Sequence, residues 1–200
     1  MVGRPRDGFS ILERSEKAFE EESKVDLSGR LGLASNHITF GEGLLLSGRV
    51  GEALGKFRAA LTEYEQMAAL PGADASSRTA LAIAHLDIAS ALSLGGDRAA
   101  ASAEFRHAIE ITEPLAKSGN EQARYTLANA YSGLADLTAR GGTRQDLVQA
   151  QELYKQSLEV WKTIPNPGAL TPGGYLAGDP RNTAHALDSC NARLAKLNRS

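Results

Sequence analysis

Residues 50–68, VGEALGKFRAALTEYEQMA, place Val50, Leu54, Phe57, Leu61, Tyr64 and Ala68 on a single stripe. Steps of three and four residues match the turn of a helix, so the stretch reads as an amphipathic helix of about four turns. Its centre, Ala53, Phe57, Ala60 and Leu61, returns as Ala101, Phe105, Ala108 and Ile109 and again as Ala150, Tyr154, Ser157 and Leu158, with the aromatics 48 and 49 residues apart. In the third copy the stripe runs through Leu147, Ala150, Tyr154, Leu158 and Trp161. Recurrence at a near-constant period marks a repeat architecture, with Phe57, Phe105 and Tyr154 as its expected core residues.

Upstream of each copy lies a second helical segment, over 31–48, 79–96 and 122–142, ending in Gly48, Gly96 and Gly142. Glycine suits the left-handed position that stops a helix. Small residues stand twelve positions before each opening alanine, at Gly41 and Ala89, and Ala135 matches if the turn around Thr143 to Val148 carries three extra residues. His37, Phe40 and Leu44, then His85, Ile88 and Leu92, then Tyr131, Leu134 and Thr138 repeat one face around them. Ala and Leu dominate while Val, Ile and Thr are sparse, which favours helix throughout. The expected fold is all-α: an N-terminal helical segment or partial repeat over 1–28 and three helix pairs over 29–164. A Pro/Gly-rich loop over 165–180 and a C-terminal capping helix over 181–200 follow. Asp179 and Pro180 suit the start of that last helix, whose stripe is Ala184, Leu187, Cys190, Leu194 and Leu197.

The pattern of a bulky residue, Leu/Ile with Gly/Ala, a Gly-bounded turn, then Ala-x-x-x-Phe/Tyr-x-x-Ala/Ser-Leu/Ile resembles the tetratricopeptide repeat over residues 31 to 164. The 48-residue spacing exceeds that family's 34-residue unit, so longer helices or linkers are expected. The resemblance implies a right-handed superhelix whose first helices line a concave groove. In this chain the groove stripes would be Ile38, Glu42 and Leu45, then Leu86, Ser90 and Ser93, then Ser132, Asp136 and Ala139, with Asn129 and Arg140 nearby. The family's carboxylate-clamp members carry lysine, arginine and asparagine in such rows. A middle row of Glu42, Ser90 and Asp136 instead suits a basic or neutral segment. Trp161 to Leu197 also resembles the tail of certain bacterial Ser/Thr protein kinases that carry such repeats, through an aromatic-ended helix, a Pro/Gly loop and a short Cys-containing helix. With no HRD or DFG triplet in the chain, this resemblance implies at most a regulatory or docking part of a signalling system.

Composition removes other classes. The 200 residues are 42% apolar and 23% charged, with 22 basic and 24 acidic residues, enough apolar side chains for a core without a metal or disulfide staple. No dense Lys/Arg block supplies the phosphate-neutralising patch of a nucleic-acid binder, and no apolar run spans a bilayer or follows the arginines of MVGRPRDGFS as a signal peptide would. A lone Cys190 on an apolar stripe fits a buried thiol and a reducing compartment, so cytoplasm is the expected location. His37, His85, His107 and His185 never stand at the i, i+4 spacing of a helical metal pair, and GEGLLLSG lacks the Lys-Ser/Thr ending of a phosphate loop. Asn198 to Ser200 matches a glycosylation sequon by spacing alone. The expectation is a non-catalytic interaction module, without cofactor or metal, that binds a protein or peptide. The alternative is a structural domain in which Ile38, Leu45 and Leu46 pair with a second copy as a homodimer.

Overall fold

The computed structural model describes residues 5–165 and 178–197. Within them the chain is all-α, with eight helices and no strand: α1 (Pro5–Glu22), α2 (Leu27–Leu46), α3 (Val50–Ala68), α4 (Ala75–Gly95), α5 (Arg98–Lys117), α6 (Glu121–Ala139), α7 (Arg144–Lys162) and α8 (Pro180–Leu197). The three recurrent stripes are α3, α5 and α7. The segments before them are α2, α4 and α6, and Gly48, Gly96 and Gly142 do adopt positive φ, at 74°, 88° and 80°. Both α2 and α4 begin four residues before the apolar periodicity does. Asp26 and Asp74 each accept a backbone N–H three residues on, from Gly29 and Ser77 at 2.8 Å, and so nucleate a turn that carries no apolar signal. At α8, Asp179 accepts from the Arg181 N–H at 2.7 Å ahead of Pro180, as the sequence leads one to expect. Of the Pro/Gly segment over 165–180, residues 166–177 lie outside the described residues, as do Asn198 to Ser200.

Every helix packs on the next in the chain, and α2, α4, α6 and α8 also meet one another in succession along one side. Thus α1 takes the place of the second helix of a preceding pair, and α8 that of the first helix of a following one. The cores of the first two pairs merge. Phe57 and Phe105, 0% and 3% exposed, share one apolar cluster with Phe40, Ile88, Leu92 and Leu134, whereas Tyr154 packs with Ala135, Leu147 and Cys190 in a second. Close approach depends on two glycines. A Cβ on Gly41 would stand 2.4 Å from the Phe57 ring, and one on Gly133 the same distance from Phe105. Gly41 and Phe57 belong to one pair. Gly133 instead reaches back from α6 to the preceding pair, which the twelve-residue spacing did not reveal.

Along α1, Glu16 and Glu20 interrupt the apolar residues Ile11, Ala18 and Phe19. Glu16, which interrupts the apolar pattern, receives hydrogen bonds from Lys56 Nζ at 2.5 and 2.7 Å and contacts His37 Nε2 at 2.9 Å. Phe9 packs its ring on Phe40 at 5.5 Å between centroids, and Asn36 Nδ2 donates to the Leu12 carbonyl. Burial by itself would raise the Glu16 pKa, but the bonds and charges of Lys56 and His37 together outweigh it and hold the carboxyl below its ordinary value. Glu16→Gln is therefore expected to destabilise the protein by about 2 kcal/mol at neutral pH. A lowered folded-state pKa means that this stabilisation is present above the unfolded value and fades as pH falls through the folded one. Urea titration at pH 7 checks it; an unchanged midpoint would show that Phe9 and Leu12 alone hold α1.

Candidate functional site

The helices α2, α4 and α6 carry the expected groove residues on the side where they meet one another, and the structure separates those residues into three groups. Leu45 leaves the site altogether. It is 5% exposed within the cluster that also holds Phe40, Leu44 and Leu86, so it is a core residue and no groove or dimer contact. Ile38 and Glu42 remain half-buried on α2, and Ala139, like Leu45, is buried.

At the α4/α6 end, Leu86, Ser90, Asn129, Ser132 and Asp136 converge on one cavity of about 230 Å³. The chain itself closes that cavity with residues 178–183. Ser132 Oγ lies 3.3 Å from Thr183 Oγ1, and Gly178 presses so close to Asn129 that a Cβ there would overlap its carboxamide oxygen. Asn129 Nδ2 is buried without a hydrogen-bond partner among the described residues. Asp136 keeps an exposed edge while its Oδ1 accepts from Tyr154 Oη at 2.5 Å; burial raises its pKa more than that bond lowers it. Arg140 bridges α6 to α4 by donating to the Ser93 carbonyl and hydroxyl at 3.4 and 3.3 Å. Asn129, Ser132 and Ser93 therefore already have neighbours from this chain over them, and the α1 helix covers none of these, since it sits against α2 and Lys56 of α3.

The α2/α4 end is acidic. Asp87 is 3% exposed, and its Oδ2 has no hydrogen-bond partner among the described residues. Burial pushes the Asp87 pKa well above its ordinary value, the charge of Glu42 adds to that, and burial raises Glu42 as well. Sequence reading passed over Asp87 because its neighbours His85, Leu86 and Ile88 all belong to inward faces. The available signal was a carboxylate set in the apolar run AHLDIASAL.

Two further features lie away from this face. His85 Nδ1 stands 2.6 Å from Glu104 Oε2, and the His107 ring meets His85 edge-on at 5.3 Å between centroids. The expectation of no histidine cluster considered one helix at a time; the signal was Glu104-x-x-His107 on α5 opposite His85 on α4. A larger cavity of about 510 Å³ opens between α5, α6 and α7, where Glu113, Arg124, Lys155 and Glu159 mix both signs of charge. Cys190 is 2% exposed, directs its Sγ–H to the Leu147 carbonyl at 3.2 Å, and has its pKa raised by burial, which keeps it an unreactive thiol. Among the described residues no helix is long and apolar enough to cross a membrane.

No family model and no curated protein matches the chain. Among solved structures, the crystal structure of BtubC (BKLC) from P. vanneervenii aligns over 98% of this chain and 91% of that one, at 15% identity and a TM-score of 0.45.

Proposed function

We propose that the chain is a non-catalytic interaction module of the tetratricopeptide type, a right-handed superhelix of helix pairs that accepts a basic or neutral extended segment along α2, α4 and α6. One observation carries this reading. Glu42 of α2 and Asp87 of α4 form an acidic pair, and neither has a hydrogen bond or an ion pair with another of the described residues. A buried carboxyl without a partner destabilises the free protein, and a lysine or arginine side chain from a bound segment that reached the half-buried Glu42 would relieve the pair. Polar side chains along the face, Ser90 and Asp136, would then bond the segment's backbone. The strict succession of helix packing supports the superhelix, and cytoplasm is the setting proposed for it. The likeness of Trp161 to Leu197 to kinase tails adds a docking part of a signalling system as one context.

The test is fluorescence anisotropy with peptides of equal length whose central residues are lysine, serine or glutamate. The lysine peptide is expected to bind best, and Glu42→Arg with Asp136→Arg is expected to weaken it at least about tenfold, roughly 1.4 kcal/mol. Equal binding of all three peptides, or no effect of the charge reversal, would remove the groove reading. Pairing of two copies is the second reading, favoured by Leu27, Leu31 and Leu46, which are 51%, 50% and 65% exposed on α2. Light scattering that showed a dimer at every concentration would put it first.

A further inference from the structure

We propose that His85, Glu104 and His107 form a binding site for a divalent transition-metal ion of the zinc class, clamping α4 to α5. One potential ligand atom from each of the three side chains lies within 4.8 Å of the others, and two nitrogen donors with one carboxylate oxygen are a set that zinc accepts. Bond lengths of about 2.0–2.2 Å in tetrahedral geometry bring ligand atoms to about 3.3 Å from each other. His85 and Glu104, at 2.6 Å, would part slightly, while His107, which is exposed, turns inward about its side-chain bonds. Glu104 and His107 stand at i and i+3 on one face of α5, the spacing by which a helix offers a carboxylate and an imidazole to the same ion.

Comparison within the molecule makes the case stronger. Forty-eight residues upstream, the places of His85, Glu104 and His107 are taken by His37, Lys56 and Ala59. There the charge balance is complete without an ion, because the carboxylate comes from Glu16 of α1 and the Lys56 ammonium bonds to it directly. In the third pair the place of His85 falls to Tyr131, which donates its hydroxyl to Glu113 at 2.5 Å. In the second pair the ammonium is replaced by a carboxylate and a second imidazole is added. No lysine or arginine forms an ion pair with Glu104 among the described residues, and its side-chain partner is the His85 imidazole. A cation held by this set would take the role that Lys56 has one pair earlier. Imidazole with carboxylate suits zinc, cobalt and nickel, whereas magnesium and calcium seek all-oxygen sets. Since the three ligands come from both helices of one pair, an ion bound to the folded state would also raise its stability by mass action.

Calorimetric titration of the purified chain with zinc chloride, in a buffer that does not chelate, tests the site. One zinc per chain is expected, with magnesium giving no binding heat. His107→Ala is the informative variant because its side chain is exposed and the fold should survive, which far-ultraviolet circular dichroism verifies. It should weaken zinc at least about tenfold, since loss of a direct ligand should cost no less than loss of a group that merely supports one. Glu104→Gln should do the same, and His185→Ala, on α8, should leave affinity unchanged. Failure to bind zinc at millimolar concentration would overturn the proposal, as would equal affinity of the parent and His107→Ala proteins. These outcomes are independent of peptide binding at Glu42 and Asp87.

Discussion

Phe57→Ala is expected to lower the free energy of unfolding by about 3–5 kcal/mol, a large share of the roughly 5–15 kcal/mol that holds a domain together. Phe57 is fully buried, and its ring fills the space that Gly41 leaves on α2. Five helices, α2 to α6, contribute buried side chains to its cluster, among them Leu44, Ala53 and Ile88. With neighbours fixed by several backbones, the hole left by the ring cannot close, so the loss should fall at the upper end of that range. The comparable change at the second pair, Phe105, would open the same continuous cluster. Urea denaturation followed by circular dichroism measures the difference. A shift under about 1 kcal/mol would mean that the repeat stripe on α3 does not anchor the core.

Asp87→Leu should act in the opposite direction, stabilising the protein by about 1–3 kcal/mol at pH 7, the usual cost of a buried polar group left without a partner. Its pH dependence has a definite sign. The folded-state pKa of Asp87 is raised by burial and then by Glu42, so across the interval between its unfolded and folded values the native state holds more protons than the unfolded one. Stability then falls as pH rises through that interval. Glu42, also raised by burial, tilts the same way. Of the groups nearby, Tyr64 has its own pKa raised by burial first and then by the Asp87 charge, and it stays protonated across the range. Glu16 slopes oppositely, but below the ordinary carboxylate value. Thermal melts of the parent and Asp87→Leu proteins from pH 4.5 to pH 8 should therefore diverge, with the parent losing ground as pH increases. Parallel curves would show that Asp87 is not strained in the free protein and would remove the main support for a basic partner. If the stabilised variant also loses the lysine peptide, the same carboxyl limits stability and supplies recognition, a trade common at binding sites.

The helices themselves were legible in the chain. Four-and-three spacing around Phe57, Phe105 and Tyr154, with glycines at 48, 96 and 142, depends only on residues within a turn or two of one another, and local backbone preference suffices to place it. The start of α2 and α4 was less legible, since Asp26 and Asp74 act through single hydrogen bonds and leave no apolar periodicity. Stripes on separate helices were legible one helix at a time, and the structure brings Leu86, Ser90, Asn129, Ser132 and Asp136 to one cavity. What covers each stripe is a different matter. Leu45 is buried in a cluster that residues of other helices, such as Leu86, complete, and Ser132 meets Thr183 because the chain returns after 51 residues. The pairing of Asp87 with Glu42, and of His85 with Glu104 and His107, likewise depends on how neighbouring helices stack. Periodicity states which side of a helix is apolar; only the tertiary arrangement decides which residue stands opposite, and for a carboxyl or an imidazole that neighbour determines its charge, its strain and its chemistry.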